Sequence, residues 1–231
     1  MQNPEWPAIA AVMPAAGVGS RMQAALPKQY LQLHGKTLLE HSVDRLRAVP
    51  AVSAIWLALA ADDPYFADTP LAHSDIQRVK GGAERMHSVL NALQFVDEHR
   101  YPWVLVHDAA RPLVYADDIE KLIAQCLAAN EGGILACRVR DTMKRGELCV
   151  AETVSREHLW HALTPQFFPT AMLRAALKDA IQAGVAVTDE ASAMEWAGHK
   201  VLLVEGRSDN IKITQPADLA LAAFYLEQLA Q

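Results

Sequence analysis

The feature that most constrains this chain is a short apolar run, Ala8 to Met13, that passes directly into a glycine-rich loop. A run of that length without polar alternation suits a strand buried on both faces of a parallel sheet. The loop, Pro14 to Lys36, holds three glycines and two prolines and shows little periodicity. Parallel sheets bind ligands outside the carboxyl ends of their strands, so a long loop in this position is a candidate binding loop.

Downstream, strand and helix patterns alternate. Thr37 is a candidate N-cap for a helix through about Ala48. Ala54 to Ala60 reads as a strand, and Ile76 to Lys80 as a short one ending at Gly81-Gly82. Val89, Leu90, Leu93 and Val96 recur at helical spacing within Glu84 to His99. Trp103 to Val106 is an apolar strand running into His107-Asp108-Ala109-Ala110-Arg111-Pro112. Asp117 and Asp118 are placed as caps for a helix through Ala129, and Gly133 to Val139 returns as strand. Helices are expected from Thr170 to Ala183, from Asp189 to Ala197 with Thr188 as its cap, and after Pro216; a strand from His199 to Val204 separates the last two. This alternation predicts an α/β fold with a doubly wound, mostly parallel sheet, a Rossmann-like arrangement in one domain spanning residues 1–231.

The stretch at about 139–158 breaks the rhythm. It reads as a charged β-hairpin with Gly146 near its tip and too few apolar residues to fold alone. The expectation is a protruding arm that packs on a second subunit.

Composition sets the exclusions. A net charge of −6 argues against a nucleic-acid or membrane-surface binder, either of which would show a basic face. Cys126, Cys137 and Cys149 form no CxxC pair and suit reduced thiols. The N-terminal stretch lacks the pattern of a signal peptide, and no apolar run reaches about 18 residues. The expected location is the cytoplasm.

Three clusters carry chemistry. Gly17-Val18-Gly19-Ser20-Arg21-Met22 is neither a dinucleotide fingerprint, since Met22 stands where the third glycine belongs, nor a Walker loop. Its glycines let backbone N–H groups approach phosphate oxygens, and Arg21 and Lys28 add two cations. Asp108 and Arg111 arrive at the end of an apolar strand, where an acid can ligate Mg²⁺, hold an acceptor hydroxyl, or simply pair with the arginine. Gly81-Gly82, followed by Arg85 and Ser88, allows close backbone approach to a flat ring. His107 suits a packed histidine, and the HxxH of His158 and His161 has no accompanying ligand set.

The blocks PAAGVGSRM, PKQY, LEHSV, GGAERMHSV, LVHDAARP, VRDTMK, LWHALTPQFF, TDEASAME and VEGRSDNIKIT occur in an order that resembles the 2-C-methyl-D-erythritol 4-phosphate cytidylyltransferases. The resemblance runs from Ala10 to about Leu226. It implies a CTP donor, a polyol phosphate acceptor, Mg²⁺, a pyrophosphate product, a place in the non-mevalonate isoprenoid route and a homodimer joined through the arm. It also implies roles. Arg21 and Lys28 match transition-state cations. Ala15, Ala16, Gly17, Gly82, Arg85 and Ser88 match the cytidine pocket and phosphate cradle. Asp108, Arg111, Thr142, Thr164 and Thr188 match the acceptor side, Arg156 and Lys212 position its phosphate, and Thr142 and Arg156 come from the partner's arm. Ala83 departs from the acidic residue of some relatives. Two other readings are a cytidylyltransferase for another polyol phosphate, such as ribitol 5-phosphate, and a nucleotide-binding regulator without catalysis.

Overall fold

The structure, a computed structural model, describes residues 6–17, 22 and 26–229. β1 (Ile9–Pro14) lies at the centre of a sheet, buried on both faces. Its side chains alternate between two cores. Ile9, Ala11 and Met13 point into one, and Ala10 and Val12 into the other, as the two-residue repeat of a strand requires.

A two-stranded ribbon, β2 (Gln32–Leu33) and β3 (Lys36–Thr37), leads into α1 (Leu38–Arg47). Thr37 caps this helix reciprocally: its hydroxyl accepts from the Glu40 N–H at 3.1 Å, and the Glu40 carboxylate accepts from the Thr37 N–H at 2.8 Å. β4 (Val52–Leu59) and β5 (Gln77–Lys80) follow, then α2 (Arg85–Leu93), β6 (Trp103–Val106), α3 (Ala116–Ala129) and β7 (Gly132–Arg138). β8 (Met143–Gly146) and β9 (Val150–Val154) form a separate antiparallel hairpin. β10 (Trp160–Pro169), α4 (Thr170–Gln182), α5 (Glu190–Trp196), β11 (Val201–Glu205) and α6 (Pro216–Leu229) complete the chain.

The main sheet has seven strands in the order β11-β7-β10-β6-β1-β4-β5. It is parallel except for β10, which runs antiparallel to both neighbours. β10 is the strand the periodicity reading does not yield: Pro165 interrupts its ladder, which jumps from Ala162 opposite Ala136 to Gln166 opposite Ile134. α1 and α3 cover one face through Leu39, Val43, Leu46, Ile119, Leu122 and Ile123. α2, α4 and α5 cover the other through Val89, Leu93, Leu173, Leu177 and Met194. α6 closes a third cluster with Leu33, Leu38, Leu113 and Ile213. Among the described residues, no helix is long and apolar enough to cross a membrane.

Three local expectations are corrected. α2 ends at Leu93, not His99, because Arg174 of α4 takes the Leu93 and Val96 carbonyls at 3.0 and 2.6 Å and pairs with Glu98. Asp117 and Asp118 do not cap α3; Tyr115 occupies that position, and both acids sit in the first turn, where they face the positive end of the helix dipole. Asp189, not Thr188, caps α5 by accepting from the Ser192 N–H at 2.9 Å.

The strand order reverses at β1: the chain moves outward to β4 and β5, then returns to place β6 on the other side of β1. Such a reversal opens a crevice at the carboxyl ends of the strands.

Candidate active site

The crevice is lined by Ala15, Ala16 and Gly17 after β1, by Gly82 and Arg85 after β5, and by Asp108 after β6. Lys28, Gln29, Ser88 and Lys212 close it. Three segments far apart in sequence therefore meet at the sheet edge because each follows a strand of the same parallel group.

The loop walls are fixed by hydrogen bonds to neighbouring strands. The Ala15 N–H donates to the Ala58 carbonyl at 2.8 Å, and the Gly81 N–H to the Leu59 carbonyl at 2.7 Å. The buried Gln29 amide donates to the Ala15 carbonyl at 2.7 Å, so the PKQY turn braces the first loop. The Ser88 hydroxyl accepts from the Gly82 N–H at 3.0 Å and fixes the glycine turn. A side chain at Gly81 has no room: a Cβ there would lie 2.4 Å from the Ala16 Cβ. The glycine is required for this close approach of the two loops.

Asp108 is the electrostatic centre. Its Oδ1 lies 3.1 Å from Arg85 Nε, and its Oδ2 lies 2.9 Å from Lys212 Nζ and 3.4 Å from Arg111 Nε. Burial opposes ionisation, but Arg85, Lys212 and Arg111 outweigh it and hold the carboxyl well below the usual range. Arg85 also grips Glu190 with both terminal nitrogens, at 2.5 and 3.0 Å. Arg111 donates to the Asn210 carbonyl at 2.7 Å, which ties the loop after β11 to the site. Lys28 Nζ donates to the Ile213 carbonyl at 3.3 Å and bridges the glycine loop to the same segment.

The remaining candidates fall in three groups. Thr164 lies beneath the crevice, where its hydroxyl accepts from the Asp108 N–H at 3.1 Å. Thr188 is exposed ahead of α5, with its N–H on the Ser192 hydroxyl at 3.0 Å. Thr142 and Arg156 are exposed on the hairpin and do not line the crevice of their own chain; Arg156 donates to the Arg140 carbonyl. Arg21 lies outside the described residues, as do Val18, Gly19 and Ser20.

The family model for 2-C-methyl-D-erythritol 4-phosphate cytidylyltransferase matches residues 9–228. The chain belongs to that family. Curated cytidylyltransferases of this name include one from Vibrio cholerae, 58% identical over 222 residues, covering 94% of this chain and 96% of that relative. One from Vibrio vulnificus is 56% identical over 225 residues, covering 95% of each. The crystal structure of the Francisella tularensis cytidylyltransferase superposes with a TM-score of 0.83 at 35% identity, covering 94% of this chain and 99% of that one. The Thermus thermophilus structure gives 0.81 at 31% identity, covering 94% and 98%.

Two residues that brace the crevice, one on its wall and one behind Arg85, escape a reading of residue types. Glu190 looks like an ordinary first-turn acid, yet it is wholly buried against Arg85. Gln29 sits beside the more conspicuous Lys28. In each case the partner is remote in sequence or lies in a loop, so no local pattern announces it. A nucleotidyltransferase of this kind generally works with a metal. Among the described residues, no three acidic, histidine or cysteine side chains gather to cage one. Asp108 and Glu84 are the carboxylates among the described residues that line the crevice.

Proposed function

We propose that this enzyme transfers CMP from CTP to 2-C-methyl-D-erythritol 4-phosphate. The products are 4-diphosphocytidyl-2-C-methyl-D-erythritol and pyrophosphate, in the non-mevalonate isoprenoid route. The observation that carries this reading is the convergence of the glycine loop, the Gly81-Gly82 turn and the Asp108–Lys212 pair on one crevice.

The acceptor phosphate is already ionised near neutral pH, so its oxygen attacks the α-phosphorus of CTP without a general base. A bond forms from that oxygen to the α-phosphorus. The bond to the bridging oxygen of the β-phosphate breaks, and pyrophosphate leaves with the electron pair. His107 fits this scheme by its inertness: it is fully buried, and burial lowers its pKa to about 4.

Two anions meet in this step, and cations must offset their repulsion. Lys28, with Arg21 assigned from the sequence, takes the triphosphate side. Lys212 and Arg156 take the acceptor phosphate, with Arg111, Thr142, Thr164 and Thr188 shaping that side. Ala15, Ala16, Gly17, Gly82, Arg85 and Ser88 form the cytidine pocket and cradle. Preorganised charge of this kind is usually the largest catalytic contribution. Mg²⁺ bound with the triphosphate would neutralise part of its charge, and Asp108 is the side chain that would hold it.

We read the chain as one nucleotidyltransferase domain, 1–231, with an arm at about 139–158 that joins a homodimer in the cytoplasm, where CTP is made. Among the described residues the arm's two strands pair with each other and with no other strand, and Leu148 at its tip is fully exposed, as suits a surface that a second subunit covers. Neither nucleic acid nor membrane is a partner in this reading. The test is pyrophosphate release with CTP and a panel of polyol phosphates. Release with the methylerythritol phosphate in preference to ribitol 5-phosphate is expected; no release with any acceptor would defeat the proposal.

A further inference from the structure

We infer that Glu190 is a positioning residue of the transfer reaction, which acts through Arg85 to fix the Asp108 carboxylate and so present Lys212 to the acceptor phosphate. The inference rests on the reading of the crevice given above.

Glu190 opens α5, and its side chain is 1% exposed. A carboxylate in that position is costly unless fully paired. Burial pushes its pKa up, against the pull of Arg85. The start of the helix is clamped to β10: the Gln166 side chain accepts from the Ala191 N–H at 2.9 Å and donates to Asp189 at 2.9 Å. Glu190 is therefore a fixed anchor.

Arg85 spends both terminal nitrogens on the two Glu190 oxygens. A guanidinium is planar, so once two of its nitrogens are placed the direction of the third is set. That third nitrogen, Nε, meets Asp108 Oδ1 at 3.1 Å. With Oδ1 held, Oδ2 faces Lys212 and Arg111. The set holds three cations, Arg85, Arg111 and Lys212, against two carboxylates, Asp108 and Glu190, which leaves one surplus positive charge. Lys212 is the most exposed of the five, at 36% of its side chain, against 25% for Arg85 and 10% or less for the others. The surplus charge is thus displayed at Lys212, on the crevice wall.

Glu190→Gln keeps the shape and removes the charge. Its amide group would face the N–H groups of Arg85, which frees the guanidinium to take both Asp108 oxygens and displace Lys212. The expected result is an acceptor KM raised about tenfold, with kcat and the CTP KM within about threefold of the parent. A purely structural role would lower Tm without dividing the two substrates in this way. Glu190→Asp keeps the charge but is one methylene shorter and cannot meet both terminal nitrogens of Arg85, and it should give the same division. It also decides the matter if Glu190→Gln does not fold. Arg85→Lys added to Glu190→Gln should raise the acceptor KM no further than Glu190→Gln alone, since the two changes break one chain of contacts. An unchanged acceptor KM, an equal rise for both substrates, or additive effects would overturn the inference. A parent protein that releases no pyrophosphate would instead defeat the proposed function itself.

Discussion

The Thr164 hydroxyl lies 3.0 Å from Nδ1 of His107, and the Arg111 carbonyl on the other side of the ring fixes the histidine's proton. The Thr164 oxygen, which accepts from the Asp108 N–H, has a lone pair left for a second donor, but the Arg111 carbonyl at Nε2 can only accept, so Nδ1 takes the Thr164 hydrogen. Nε2 then carries the ring proton and donates to the Arg111 carbonyl at 3.0 Å. Both ring nitrogens are used, and a second ring proton would break the bond from Thr164.

This arrangement predicts an acid-sensitive fold. Burial lowers the His107 pKa from 6.5 to about 4, opposed by the bond to the Arg111 carbonyl and by the Asp108 charge and aided by the charges of Arg111 and Arg85. The unfolded chain therefore binds the proton first as pH falls. The contribution is complete above the unfolded value of 6.5 and is lost as pH drops toward about 4. Its size is about 3 kcal/mol, an order-of-magnitude figure. Urea denaturation across that window should show the parent losing stability more steeply than His107→Gln, whose amide stays neutral. Parallel profiles would mean that His107 contributes nothing.

Lys28→Ala should lower kcat about a hundredfold, near 3 kcal/mol, while CTP affinity changes only a few-fold. Lys28 is held between the glycine loop and the Ile213 carbonyl and lines the crevice, so its charge is in place before substrate arrives. The same outcome is expected for Arg21→Ala from its place in the sequence. Single-turnover rates and CTP titration separate the two quantities. A variant with the parent's kcat would remove the assigned role.

Gly81→Ala should raise the CTP KM by about tenfold or more, since overpacking a close contact costs about 1–3 kcal/mol. The added Cβ would meet the Ala16 Cβ at 2.4 Å and the Leu59 carbonyl at 3.0 Å, and both are tied to backbone. The two loops that form the nucleotide pocket must part. Initial rates over a CTP series check this; an unchanged KM would show that the loops yield without disturbing the nucleotide.

The parts of this molecule legible in the sequence are those set by neighbours in the chain. β1 reads correctly because an unbroken apolar run needs cover on both sides. Thr37 reads as a cap because Glu40 stands three residues on and completes the exchange. The clusters around Gly17, Gly82 and Asp108 read as one site because each follows a strand, and topology brings strand ends together. What stays hidden depends on remote partners. β10 carries a proline and owes its place to the ladder with β6 and β7. Arg174 ends α2 from another helix. Glu190 meets Arg85 across 105 positions, and nothing near either residue signals the pair. Lys212 entered through family resemblance, and its contact with Asp108 belongs to the same remote class.

The exposed hairpin leads to a prediction about subunits. Thr142, Lys144 and Arg156 lie on it, away from their own chain's crevice. If Arg156 serves the neighbour's acceptor, Arg156→Ala and Lys28→Ala dimers are each nearly inactive. Mixed subunits place both lesions in one site of a hybrid dimer and leave the other intact. Random mixing makes about half of the dimers hybrid, so about a quarter of the parental activity should return, given free subunit exchange and independent sites. Native mass spectrometry would count the hybrids in the assayed sample. Hybrids present without recovered activity would place Arg156 in its own subunit's site, or show that the two sites are coupled. A stable monomer with full turnover, seen by sedimentation under assay conditions, would dispense with the arm altogether.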